Sequence, residues 1–259
     1  MMKIALPKNK KVYFASDQHL GIPNHSKSLQ REKKFVAWLD MVKQDAEAIF
    51  LLGDLFDFWF EYKKVIPKGF VRVLGKLAEI RDSGIPVYFF VGNHDLWMND
   101  YFEKELNIPV YRKVKEYTIG SKTFLIGHGD GLGPGDKGYK RMKKVFTNRF
   151  SKWLYRWLHP DIGVPLAQYL STKNKLISGD EDVVFLGEEK EWLVQYCKQK
   201  LADKHYDYFL FGHRHLPLTI ELSKNSTYIN TGDWISYFTY AVFDGKRLEL
   251  SDFKNKNYS

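Results

Sequence analysis

The sequence predicts a mixed α/β core, and three observations carry that reading. Short apolar runs bounded by turn residues alternate with amphipathic helical stretches through the first hundred residues, as in strand–helix–strand units of a largely parallel sheet. Two later stretches fold back around Gly120-Ser121 and Asp244-Gly245, the mark of antiparallel hairpins. Polar residues gather just past the ends of the apolar runs, where an open α/β sheet holds its ligands.

The elements follow in order. KVYFAS (11–16) is the first strand, and Phe35, Trp38, Leu39 and Val42 then share one helix face. AIFLLG (48–53) is the second strand, a helix follows near 67–83, and PVYFFVG (86–92) is the third strand. Residues 110–128 and 237–252 are expected as the two hairpins. Between them a basic stretch interrupts the core. Phe146, Phe150, Trp153, Leu154, Trp157 and Leu158 recur at helical spacing, with Lys143, Lys144, Arg149, Lys152 and Arg156 interleaved. Pro160 and Gly163 break the pattern, and a second helical stretch runs to about Ser171. The expectation is one domain over 1–259 with a basic amphipathic helical lid inserted at 134–180; an ordinary docked helix pair with a solvated basic face fits the spacing equally. Cys197 in EEKEWLVQYCKQKL reads as a buried helical position.

Composition narrows the class. The chain of 259 residues is 44% hydrophobic, 27% charged and 16% aromatic, enough apolar material for a sizeable core. No run approaches the roughly 18 apolar residues that span a bilayer, and the N-terminal stretch lacks the apolar centre of a signal peptide. A single cysteine excludes an internal disulfide and fits a reducing cytoplasm. A net charge of +9 invites an anionic partner. Between Asp136 and Lys175 stand ten lysines and arginines against two acids, so the excess sits almost wholly in the interrupting segment.

Five of the eight histidines lie in the polar segments that follow strands. Asp17 and His19 follow VYFAS, Asp54 and Asp57 follow IFLL, and Asn93, His94 and Asp95 follow VYFFV. His128 and Asp130 follow TFLI, and His213 and His215 follow YFLF. Four of the five segments open on glycine, which suits a chain turning sharply. In extended backbone His213 and His215 point to one face and reach one point, with Pro217 stopping the strand. Two neutral imidazoles at one point suggest a metal site. Aspartate, histidine and asparagine without thiolate suit hard or borderline ions such as Mn²⁺, Zn²⁺ or Fe²⁺, and Asp54 is the candidate to bridge a pair of them.

The ordered set DxH, GDxxD, GNHD, GHGD and GHxH, over residues 17–215, resembles the calcineurin-like metallophosphoesterases. That resemblance implies an αββα sandwich of two mixed β-sheets flanked by helices. It implies two divalent ions, Mn²⁺ first among them, one on Asp17, His19, Asp54 and His215 and the other on Asp54, Asn93, His128 and His213. Within the family, the basic helical stretch after HGD and the run Ser171, Asn174, Lys175 are similar to the branch that cleaves UDP-2,3-diacylglucosamine to UMP and 2,3-diacylglucosamine 1-phosphate in lipid A biosynthesis. Ser171, Asn174 and Lys175 would then bind this lipid-linked nucleotide sugar. The protein would be cytoplasmic and peripheral on the anionic inner membrane. His94 stands where that branch often carries arginine, and Arg214 where a small threonine is usual. For the reaction, His94 is expected to stabilise phosphoryl charge or protonate the leaving oxygen, with Asp95 orienting its ring. Asp57 and Asp130 would steady the ligands. Two rivals remain: a nuclease or other phosphodiesterase gripping a nucleic-acid backbone, disfavoured because aromatics at core-like spacing suit a lid better than base stacking, and a non-catalytic membrane-surface protein.

Overall fold

Alternation along single strands fixes the layers. In KVYFA, Val12 and Phe14 pack with Phe50, Phe124, Ile126, Leu210 and Phe243 between two sheets. Tyr13 and Ala15 point the other way and pack with Phe35, Trp38, Leu39 and Leu77 of two helices. A strand buried on both faces must lie inside a layered core. The computed structural model describes residues 1–135, 137–178, 184–185 and 187–253, with the side chains of 170–178 outside the description.

One six-stranded sheet runs β12 (Leu248–Asp252), β11 (Thr239–Phe243), β2 (Lys11–Ala15), β3 (Ala46–Leu51), β4 (Val87–Phe90) and β5 (Val110–Tyr111) among the described residues. Strands β2 to β5 are parallel, and β11 and β12 are antiparallel to their neighbours. The other runs β1 (Met2–Ile4), β6 (Lys115–Ile119), β7 (Lys122–Ile126), β8 (Tyr208–Phe211), β10 (Ser226–Thr231) and β9 (Pro217–Ser223), and mixes both pairings. Helices α1 (His25–Val42) and α2 (Val71–Asp82), with the short α3 (Tyr101–Glu105), contribute to the core outside the first sheet. Helix α7 (Trp192–Asp203) buries Cys197 against Phe209, Phe211 and Tyr228 of the second. The fold is an αββα sandwich of two mixed sheets.

Three sequence expectations need correction. Val110 and Tyr111 do not open the hairpin: they pair with Phe89 and Phe90 in the first sheet, and only 115–126 turns back at Gly120-Ser121. Two residues were too short a run to separate from the strand after them. Pro217 does not stop a strand but starts β9, at the sheet edge, where its missing N–H costs nothing.

The third concerns the basic segment, which forms α4 (Lys137–Thr147), α5 (Arg149–Arg156) and α6 (Pro160–Ser178). Asn148 separates the first two and caps α5, its side chain accepting from Phe150 N at 2.8 Å. Pro160 begins α6 instead of breaking it, as the first helical position allows, and the helix continues through Gly163 and Pro165 past Ser171. The aromatics at core-like spacing are not core: Phe150 is 66%, Trp153 51% and Trp157 75% exposed. Tyr155 docks the helix, its ring packing on Phe58, Phe60 and Trp97, and Lys152 Nζ donates to Leu96 O at 3.3 Å. Trp97 Nε1 donates to Phe146 O at 2.6 Å on the same side. Periodicity found the apolar stripe but could not tell which face meets the protein.

Candidate metal centre

The loops leaving β2, β3, β4, β7 and β8 meet at one end of the sandwich. Backbone pairing continues beyond the strands: Asp17 N donates to Gly53 O at 3.0 Å, His19 N to Asp54 O at 2.9 Å and Gly212 N to His128 O at 2.8 Å. Asp17, His19, Asp54, His213 and His215 all adopt left-handed backbone, with φ between 38° and 72°. Such strain in non-glycine residues persists where surroundings over-determine it, and it concentrates at functional sites. His213 and His215 are therefore not on extended backbone, and strand alternation does not bring them together.

The glycines preceding these residues act differently from expectation. Only Gly53 of the four has a positive φ, 99°. At Gly92 a Cβ would collide with the Asp54 carboxylate, at Gly127 it would lie 2.8 Å from Val114 Cγ1, and at Gly212 it would strike Ser16 and Asp17. Close approach, more than turning, requires glycine there.

Side-chain donors fall into two neighbouring groups. His19 Nε2 lies 3.1 Å from His215 Nε2, 3.8 Å from Asp17 Oδ1 and 3.7 Å from Asp54 Oδ2, and His215 Nε2 lies 3.6 Å from Asp17 Oδ1. Asn93 Oδ1 lies 3.1 Å from His128 Nε2 and 3.0 Å from His213 Nδ1, and Asp54 Oδ2 is 3.4 Å from His128 Nε2. Asp54 Oδ2 thus faces both groups. Donors about 2.1 Å from a shared ion stand about 3.0 Å apart on an octahedral edge and about 3.4 Å on a tetrahedral one; the Asn93 group matches these values, and so does the His19–His215 pair, while the carboxylate contacts of 3.6–3.8 Å in the first group are wider by a few tenths of an ångström. Asp17 Oδ1 supports the fit: it is buried without a hydrogen-bond partner, costly unless a cation answers it.

The charges are tightly coupled. Burial pushes the Asp54 carboxyl up, but the His128 and His94 imidazoles overbalance it and hold the group well below the ordinary range. Burial lowers His128, yet the carboxylates of Asp54, Asp17 and Asp130 raise it to about 10. A site that collects this much negative charge around imidazoles suits cations.

Asp95, expected to orient His94, makes its hydrogen bonds to backbone amides. It is buried and accepts from Leu55 N at 3.1 Å and Gly92 N at 2.6 Å, and burial with the nearby Asp54 charge drives its carboxyl pKa up. His94 is instead held by Asp57, with Nδ1 2.9 Å from the backbone oxygen and 3.4 Å from Oδ1. Asp57 also meets His19 Nδ1 at 3.2 Å. Asp130 bonds Tyr139 and Lys143 of α4. Asp233 and Arg31 were not read from the sequence. Asp233 Oδ2 lies 3.4 Å from His215 Nδ1, and buried Arg31 donates to His19 O at 2.7 Å. The DWIS stretch after a strand carried the same signal as the other loops. Arg31 lies inside a helix and carried none. Ser171, Asn174 and Lys175 lie on the α6 backbone, with their side chains outside the described residues.

Residues 10–217 match the calcineurin-like phosphoesterase family. The chain is similar to the UDP-2,3-diacylglucosamine hydrolase of Porphyromonas gingivalis, 37% identical over 95% of this chain and 98% of that one. It is similar also to the enzyme of that name from Shewanella sp. W3-18-1, 28% identical over 85% and 88%. Among solved structures, Yfce, a phosphoesterase from E. coli, aligns over 95% of each chain at 14% identity with a TM-score of 0.48.

Proposed function

The chain belongs to the calcineurin-like phosphoesterase family, a family of metal-dependent hydrolases, and from that premise we propose that it hydrolyses UDP-2,3-diacylglucosamine to UMP and 2,3-diacylglucosamine 1-phosphate in lipid A biosynthesis. The observation that carries this substrate is the 37% identity, over nearly the full length of both chains, to a UDP-2,3-diacylglucosamine hydrolase. One water is consumed across the diphosphate bridge.

In this reading Asp17, His19, Asp54 and His215 hold one divalent ion and Asp54, Asn93, His128 and His213 a second, with Mn²⁺ the ion assigned to both. Ions so held would supply positive charge to the phosphoryl oxygens and would lower the pKa of a water. The chain's own groups do the rest. Asp57 fixes the His94 ring through Nδ1, and His94 Nε2 is assigned to the leaving phosphate oxygen, where it donates a hydrogen bond or proton. Asp57 and Asp233 hold the outer nitrogens of His19 and His215, which orients the inner nitrogens toward a cation.

The same reading seats α5 on the anionic inner membrane. Phe150, Trp153, Leu154 and Trp157 are exposed and lysines and arginines flank them, a combination that suits a lipid surface. No helix among the described residues is long and apolar enough to cross a membrane. The test is UMP release with added Mn²⁺, set against turnover of a generic bis-aryl phosphodiester and of single-stranded DNA. Strong preference for the lipid-linked nucleotide is expected; turnover of the generic ester alone removes the substrate and leaves the phosphoesterase chemistry.

A further inference from the structure

Helix α4 and the start of α7 are each tied to loops that carry imidazoles of the candidate metal centre. Asp130, two residues past His128, accepts hydrogen bonds from the Tyr139 hydroxyl and the Lys143 ammonium of α4. Arg214 stands between His213 and His215 and donates from Nη2 to Glu191 Oε1 at 2.9 Å and to Val184 O at 3.0 Å. Glu191 is buried at the start of α7. Two residues on, Leu193 Cδ1 would lie 3.1 Å from a Cβ on Gly129, next to His128. The two ties therefore converge on the imidazoles that share Asn93 Oδ1, His128 at 3.1 Å and His213 at 3.0 Å.

We propose that α4 and the start of α7 position the ion set Asp54, Asn93, His128 and His213, acting through the Asp130–Lys143 and Arg214–Glu191 pairs. The inference rests on the ion assignment proposed above. Its physical basis is the backbone of the GHRH loop. His213 and His215 have φ of 72° and 38°, and Arg214 N closes a tight turn onto Gly212 O at 2.9 Å. Such a loop relaxes unless side chains over-determine it, and a guanidinium locked to a buried carboxylate does so with sharp directionality. The other ion set has separate support, since Asp57 holds His19 and Asp233 holds His215. Arginine at position 214 and glutamate at 191 are thus assigned as positioning residues.

Groups that orient metal ligands typically contribute about 10–100-fold in metal affinity. The experiment titrates the metal-free protein with Mn²⁺ and follows free Mn²⁺ by electron paramagnetic resonance, with circular dichroism as the folding control. Native chain, Arg214→Met, Arg214→Lys, Glu191→Gln and Lys143→Met are compared. The native chain is expected to bind in two steps. Arg214→Met, Glu191→Gln and Lys143→Met are expected to weaken one step by about 10-fold or more and leave the other unchanged, with Arg214→Lys recovering part of the loss. Folded variants with both native affinities overturn the proposal, and so does equal weakening of both steps. Should the Arg214 and Glu191 variants not fold, Lys143→Met decides, because that side chain is 30% exposed and its loss leaves the core intact. A native chain that binds no Mn²⁺ overturns the ion assignment itself, a result distinct from failure of the ties.

Discussion

Gly92→Ala is expected to damage the site and the fold together, for a reason that can be worked in ångströms. A Cβ on Gly92 would fall against the Asp54 carboxylate, 2.7 Å from both Asp54 Cγ and Asp54 N. Carbon needs about 3.5 Å from such neighbours, so more than roughly 0.8 Å of separation must be found, because Asp54 Oδ1 lies closer still. The obstacle includes backbone, and Asp54 already holds a left-handed φ of 54°, so the loop cannot yield cheaply. Overpacking costs about 1–3 kcal/mol, and a backbone obstacle puts this variant near the upper end, about 3 kcal/mol. In a chain of this size that lowers Tm by roughly 6–12 °C. Because the displaced group is the carboxylate facing both donor groups, turnover should fall about 100-fold. Gly75→Ala is the control. It lies exposed in α2 with nothing within 4 Å of a new Cβ, and should gain about 0.5–1 kcal/mol. Calorimetry on the metal-free proteins, Mn²⁺ titration and turnover are the assays. A Gly92→Ala protein with native Tm and native Mn²⁺ affinity refutes the close-approach argument.

Three further outcomes are expected. His94→Ala should lower kcat by about 100-fold or more while both Mn²⁺ binding steps stay native, because Asp57 keeps His19; full activity would remove His94 from the chemistry. Asp207 is pushed up by burial but held below its ordinary value by Thr123 and Lys122. Its folded pKa lies below the unfolded value near 3.9, so its contribution is present above about pH 4 and lost as pH falls through the folded value. The Tm gap between native and Asp207→Asn protein should therefore close from pH 7 to below about pH 4, and a gap independent of pH contradicts it. Replacing both Trp153 and Trp157 by serine should reduce binding to anionic vesicles at least 10-fold and leave Tm unchanged, since both rings are exposed; sedimentation with vesicles reads this directly.

The sequence by itself determined the central strands, the amphipathic faces and the order of the polar loops. Val12 and Phe14 against Tyr13 and Ala15, or Phe35 with Trp38 and Leu39, are local periodicities that the chain carries wherever it folds. Five polar segments after five strands pointed to one end of a sheet for the same reason. Only the tertiary structure decided which side chains meet there. Asp95 adjoins His94 in sequence, yet Asp57 holds the ring from another loop, because left-handed turns at Asp54 and His215 re-aim the chain in ways residue spacing does not encode. Arg31 reached His19 from within a helix, and Tyr155, not the tryptophans around it, docked α5. Periodicity is a property of one segment; contact between segments depends on the relative placement of loops joined through distant chain, and that placement exists only once the core has packed.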